Sequence, residues 1–208
     1  MIYGPQKHRR RSIRLPGYDY SLPGAYFVTA CIRKGEPLLG KITNGVMAMN
    51  PFGQVVRQTW DQLPNHYGHI RLDCFAVMPN HVPGIIFVVD TNTGGAGLKP
   101  VPTDKATDRH AISEIIRGFK TFSARRRNQL RRTPGQSVWQ RNYFEHVVRD
   151  ESARNRIREY ILRNPSNWAR DRENPYRQGR DDFDQWLAQQ GKGGFETRPY
   201  GNCGPCRK

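Results

Sequence analysis

The order of local patterns along the chain predicts an α+β fold: one antiparallel sheet with helices packed on one of its faces. Short β-branched and aromatic runs alternate with segments whose apolar residues recur at helical spacing. The connections between them are mostly short, and no internal repeat points to a solenoid or an array.

The elements follow in order. Residues 24–33 (GAYFVTACIR) alternate and are β-rich, which predicts a strand. Residues 38–49 read as a hairpin turning at Asn44-Gly45, the strongest two-residue turn signal. Residues 51–63 place Phe52, Val55, Val56, Thr59, Trp60 and Leu63 at helical spacing, with Asn50 as N-cap and Pro51 in the first helical position. Residues 70–77 and 84–89 read as two strands separated by Pro79-Asn80, and residues 90–108 as a flexible Gly-, Pro- and Thr-rich loop. Residues 111–130 are helical, with Ile112, Ile115, Ile116, Phe119 and Phe122 on one face. Residues 138–149, aromatic and β-branched, predict a strand. Residues 151–163 predict a helix ended by Pro165, because the residue before a proline avoids the α region. Residues 181–190 suit a short amphipathic helix, and residues 191–208 suit a disordered tail. The resulting order is β, hairpin, α, β, β, α, β, α, for which a ferredoxin-like sheet is the most economical arrangement. A basic arm (1–22), a main domain (23–178) and a C-terminal helix with its tail (179–208) complete the expected organisation.

Composition narrows the function. The chain has 208 residues, 36% of them hydrophobic, and its 34 Lys and Arg against 18 Asp and Glu leave a net charge of +16. Such an excess points to a polyanionic partner, nucleic acid by default. No run of roughly 18 apolar residues exists to cross a membrane, and the basic N-terminal run is not followed by the apolar stretch of a secretory signal. The four cysteines, Cys31, Cys74, Cys203 and Cys206, form no disulfide framework, so a cytoplasmic location is expected.

Positive charge is concentrated in two places. Between Arg117 and Arg132 lie Arg117, Lys120, Arg125, Arg126, Arg127, Arg131 and Arg132, with no acid among them. The N-terminal run contributes Arg9, Arg10, Arg11 and Arg14, and Arg141 lies further along. These are the candidate phosphate contacts. Tyr18, Tyr20, Trp139, Tyr143 and Phe144 are candidates to stack on unpaired bases, with core packing the competing role for at least half of them.

Two constellations carry potential chemistry. His81 stands where a hydrophobic strand begins. Positions 81 and 83 share a strand face, so histidines at both would aim two imidazoles at one metal. This chain has Pro83 instead, and a lone histidine in a polar turn is the plainer reading. Tyr160 and Asn164, four residues apart, share a helix face. A phenol there can attack a phosphodiester beside a metal to which Asn164 offers an oxygen. A core tyrosine and a plain helix cap are the competing roles. His66 and His69 sit in a loop, and Cys203-Gly-Pro-Cys206 lacks the second ligand pair that structural zinc needs.

Four stretches together resemble the REP-associated tyrosine transposases, single-tyrosine transposases with a His-hydrophobe-His motif: RRSIRLPGYDYSLPGAYFVTACIR, HIRLDCFAVMPNHVPGIIFVV, SVWQRNYFEHVVRDE and IREYILRNPSNW. They stand in that family's order and spacing over residues 8–175. The resemblance implies a ferredoxin-like sheet, a divalent Mg²⁺ or Mn²⁺ cofactor, and cleavage and strand transfer on single-stranded hairpin DNA of the REP type. The link would be a 5′-phosphotyrosine with a free 3′-OH. Carried over, His81 matches the first histidine of the motif, Tyr160 the nucleophile and Asn164 the remaining ligand; a monomer or a homodimer fits. The departure is Pro83, where the family has its second histidine. Asn80 and His146 are the candidates to replace it. The alternative is a hairpin DNA-binding protein impaired in catalysis. Composition alone would also allow an RNA-associated basic protein.

Overall fold

The computed structural model describes residues 18–89 and 110–190. Its strands are β1 (Gly24–Cys31), β2 (Gly40–Thr43), β3 (Val46–Met49), β4 (Ile70–Phe75), β5 (His81–Val88) and β6 (Phe144–Val148). Its helices are α1 (Pro51–Asp61), α2 (Leu63–His66), α3 (Ile112–Arg131), α4 (Glu151–Arg163) and α5 (Asp182–Gln190). The main sheet has the order β4-β5-β1-β6, and every neighbouring pair is antiparallel. With α1 crossing from β1 to β4 and α3 from β5 to β6, this is the ferredoxin-like order that the sequence predicts. The β2–β3 hairpin forms a separate two-stranded sheet that turns at Asn44 and Gly45, both at positive φ. The N-terminal arm up to residue 17, the loop over 90–109 and the tail over 191–208 lie outside the described residues. No helix among the described residues is long and apolar enough to cross a membrane.

Several helix boundaries follow local chemistry. Asn50 caps α1 by accepting the Gly53 amide proton at 2.9 Å, with Pro51 in the first turn. Asp150 caps α4 by accepting from the Ala153 amide at 2.7 Å.

The helices, however, cover both faces of the sheet, not one. Tyr26, Val28 and Ala30 of β1 face a core shared with Val56 and Trp60 of α1 and Ile115, Ile116 and Phe119 of α3. Ala25 and Phe27 face a second core with Ile85, with Ile157 and Ile161 of α4, and with Phe183 and Leu187 of α5. From Ala25 to Cys31 every residue of β1 is buried, the near-continuous apolar run of a strand covered on both sides.

Two strand boundaries differ from expectation. β5 begins at His81, so Pro83 lies inside a central strand. Its carbonyl accepts from the Ala76 amide at 3.0 Å, so its nitrogen also faces β4. On that side the β4 ladder shifts register between Leu72 and Phe75, and the missing N–H breaks no regular pairing. The strand expected over 138–149 begins only at Phe144. Residues 138–140 instead border the end of β1, through an Ile32–Trp139 bridge and a Gln140 N–H donated to the Cys31 carbonyl at 2.9 Å. The Lys120 ammonium then holds the chain out of the ladder by donating to the carbonyls of Gln140, Arg141 and Asn142.

Two consequences are measurable. A methyl group on Gly84 would come within 2.5 Å of the fully buried Trp60 ring and 2.9 Å of the Phe75 Cβ. Gly84→Ala is expected to lower the unfolding free energy by about 1–3 kcal/mol in urea titrations, with the slope unchanged. Burial pushes Lys120 down to about 8 from its ordinary 10.5. The folded chain therefore loses that proton before the unfolded chain does. The cost of burying the charged ammonium is full below about 8 and is relieved as pH rises toward 10.5, so stability rises with pH between those two values. The stability of the native chain minus that of Lys120→Met should become more positive from pH 8 to pH 10.5; a difference that does not change would show that folding leaves the Lys120 pKa at its ordinary value.

Candidate active site

α4 lays Ala153, Ile157 and Ile161 against the sheet. Its Arg158 guanidinium pairs with Asp73 of β4 at 2.8 Å, which fixes the helix along the strand. Tyr160, in the last turn, packs face to face on Phe183 of α5 at 3.8 Å between centroids and edge-on against Phe27 of β1 at 6.1 Å. Its hydroxyl donates to Asp171 Oδ2 at 2.9 Å. Burial, and then the Asp171 carboxylate beside it, raise the phenol well above its ordinary pKa. The tyrosine is neutral as it stands, and its proton is already directed at a carboxylate.

Asp171 follows the short 3₁₀ turn Trp168–Arg170 and is 1% exposed. Its Oδ1 accepts from the Glu173 amide at 2.7 Å and lies 3.8 Å from His81 Nε2. His81 is fully buried and stacks against Trp168. Asn80 fixes its tautomer. The Asn80 amide nitrogen donates to the carbonyls of Glu173 (2.7 Å) and Gly35 (3.1 Å), which leaves its Oδ1 to accept from His81 Nδ1–H at 2.9 Å. The Nε2 lone pair therefore points toward Asp171 and has no hydrogen-bond partner. Asn164, one turn beyond Tyr160, is 1% exposed, and neither its side-chain oxygen nor its nitrogen has a partner.

Thus Tyr160 and His81 converge on one carboxylate, and Asn164 is buried one turn along the same helix. Buried polar atoms without partners are uncommon and ask for a ligand. An imidazole nitrogen and an amide oxygen beside a carboxylate suit a divalent cation of the Mg²⁺ or Mn²⁺ type. Among the described residues no group of three His, Cys, Asp or Glu side chains is placed to hold a metal ion.

Neither residue expected to replace the absent second histidine does so. Asn80 spends both ends of its amide on Gly35, Glu173 and His81. His146 pairs with Phe27 in β1 whereas His81 pairs with Cys31, which sets them about 13 Å apart along the strand. Asp171 stands closer, and its role was not readable from the sequence: it lies in an irregular segment, eleven residues from Tyr160, with no motif around it. Of the remaining candidate ligands, His69 is buried with its ring nitrogen 3.0 Å from the His110 carbonyl, and His66 stacks on Phe122. Cys31 is buried and its thiol is pushed up by desolvation and by Glu173; Cys203 and Cys206 lie outside the described residues.

The basic surface is thinner than the charge count suggests. Arg117, Arg125, Arg126, Arg131, Arg132 and Arg141 are exposed. Arg127 is 5% exposed and turned inward, bonded to Gln136 at 2.7 Å and lying over the Phe52 ring, and Lys120 is spent on the three carbonyls. Arg9, Arg10, Arg11 and Arg14 lie outside the described residues. Tyr20 and Trp139 belong to the core and are closed to base stacking, while Tyr18, Tyr143 and Phe144 are half-buried. Arg117 and Arg141 flank a groove of about 950 Å³ between α3 and residues 136–145. Gln140, on its lining, borders Cys31, the ladder partner of His81, but the groove lies on the α3 face of the sheet, whereas strand alternation puts the His81 side chain with Phe27 and Ile85 on the α4 face.

No family model matches the chain. An uncharacterized protein of Haemophilus influenzae strain Rd is 38% identical over 176 residues, which span 81% of this chain and 95% of that protein. Among solved structures, the REP-associated tyrosine transposase bound to a REP hairpin is similar over 76% of this chain and 72% of its own, with 17% identity and a TM-score of 0.47. A transposase candidate from Deinococcus radiodurans R1 is similar over 72% of this chain and 95% of its own, with 18% identity and a TM-score of 0.42. Likenesses this weak add nothing to the strand order described above.

Proposed function

We propose that this chain, which belongs to the same family as the Haemophilus influenzae protein, cleaves and rejoins single-stranded hairpin DNA with Tyr160 as nucleophile. The observation that carries the reading is the convergence of the Tyr160 hydroxyl and the His81 imidazole on the buried Asp171. A nucleophile, an orphaned imidazole and a carboxylate at one point are what phosphodiester transesterification requires.

The chain's own residues divide the work. Phe183 and Phe27 hold the Tyr160 ring, so its oxygen has little freedom. As that oxygen bonds to phosphorus, its proton leaves along the 2.9 Å hydrogen bond to Asp171, and the bond to the 3′ oxygen breaks. The 3′ oxygen leaves with the electron pair of that bond and takes a proton from water, so the products are a 5′-phosphotyrosine and a free 3′-OH; attack by a 3′-OH on that link, with its proton lost to solvent and the proton on Asp171 returned to the tyrosine oxygen, reverses the step and joins strands. His81 and Asn164 would hold a divalent Mg²⁺ or Mn²⁺, whose positive charge would polarise the phosphate. The exposed arginines along α3 and Arg141 neutralise the backbone.

A second reading, hairpin binding without cleavage, draws on Pro83 and on the raised phenol pKa. Covalent capture on a denaturing gel separates the two. The native chain is incubated with hairpin oligonucleotides carrying single-stranded flanks and with Mn²⁺ or Mg²⁺. A protein–DNA adduct is expected from the native chain and none from Tyr160→Phe. No adduct from the native chain, with hairpin binding retained, would favour the binding protein; an adduct that survives in Tyr160→Phe would remove Tyr160 from the chemistry.

A further inference from the structure

We propose that Asp171 is the metal ligand that takes the place of the histidine absent at position 83, so that the cation site is built from His81, Asn164 and a carboxylate delivered by the segment after α4. The inference rests on the reading above and extends it to a residue outside every motif of the sequence.

Four observations carry it. The Nε2 lone pair of His81 and Oδ1 of Asp171 are two buried electron-pair donors facing each other at 3.8 Å, on residues 0% and 1% exposed. That separation is too long for a hydrogen bond, and Nε2 has no other partner. Two octahedral ligands each about 2.1 Å from one cation lie about 3.0 Å apart when adjacent and about 4.2 Å when opposite, so the 3.8 Å pair needs to shift by only a few tenths of an ångström to hold one. Asn164 adds an amide oxygen with no partner.

Asn80 is the positioning residue: by holding Nδ1–H it leaves Nε2 free to coordinate, the outer-shell arrangement that metal-binding histidines use. Asp171 itself divides its work. Oδ2 holds the Tyr160 hydroxyl and Oδ1 faces the cation, which ties nucleophile and metal to one side chain. Pro83 cannot contribute a ligand, but it shares the strand face of His81, so a histidine placed there would point toward the same site.

Mn²⁺ binding tests this without any cleavage step. The native chain, Asp171→Asn and Asp171→Asn with Pro83→His are titrated with Mn²⁺ alone and followed by electron paramagnetic resonance, with a thermal melt of each metal-free protein. The native chain is expected to bind one Mn²⁺ with a single nitrogen coupling. Asp171→Asn should weaken binding at least tenfold, and adding Pro83→His should restore it with a second nitrogen coupling. Restoration distinguishes a ligand from a residue that merely supports the fold. Should Asp171→Asn fail to melt cooperatively, Asp171→Ser replaces it and should show the same loss of Mn²⁺ binding, restored with two nitrogen couplings by Pro83→His.

Binding by Asp171→Asn within twofold of the native chain overturns the inference and leaves a His81–Asn164 site standing. No Mn²⁺ binding with nitrogen coupling in the native chain overturns it as well. The nucleophile reading fails separately, on the covalent-capture gel.

Discussion

A carboxylate that is 1% exposed keeps its place only if protein groups replace its water, and Asp171 draws those groups from three directions. The Glu173 amide satisfies Oδ1 from its own segment, the Tyr160 hydroxyl satisfies Oδ2 from α4, and the His81 imidazole faces it from β5. Tyr160 and His81 come from elements separated in sequence by the whole of α3 and β6, and this anionic side chain is where they meet. Removing it would leave a half-buried phenol and a buried imidazole with nothing in common.

The arrangement depends in turn on β1. Because it is covered on both faces, α1 and α3 can build one core while α4 and α5 build another. The second core carries Tyr160 between Phe27 and Phe183 and sets the height of the tyrosine above the sheet. The first core anchors α3, whose exposed arginines leave the protein its basic surface. The two meet at the end of β1, where Cys31 is flanked by His81 on one side and by Gln140 on the other.

Much of the fold was legible in local chemistry. Asn50-Pro51 marked the start of α1, Asn44-Gly45 the hairpin turn, and the Ile112, Ile115, Ile116 and Phe119 spacing the buried face of α3. The i and i+4 spacing of Tyr160 and Asn164 placed both at one end of α4. What was not legible depends on tertiary context. Pro83 is tolerated inside β5 only because its nitrogen faces a register shift in β4, which no local pattern records. Lys120 and Arg127 look like solvated cations until the carbonyls of residues 140–142 and the Gln136 side chain meet them. The two-sided covering of β1 was written in its unbroken apolar run, a signal that alternation can mask. Asp171 left no trace because its role arises only when the segment after α4 folds back over β5.

The central claim is that Tyr160 bonds to DNA phosphorus in this site. Mapping the attachment point tests it most directly. The native chain is reacted with a hairpin oligonucleotide and Mn²⁺, digested with nuclease and trypsin, and its peptides are weighed by mass spectrometry. The peptide EYILR, residues 159–163, is predicted to carry a nucleotide phosphate on its tyrosine. A nucleotide on another residue, such as the exposed Tyr176, or on no peptide at all, would contradict the account.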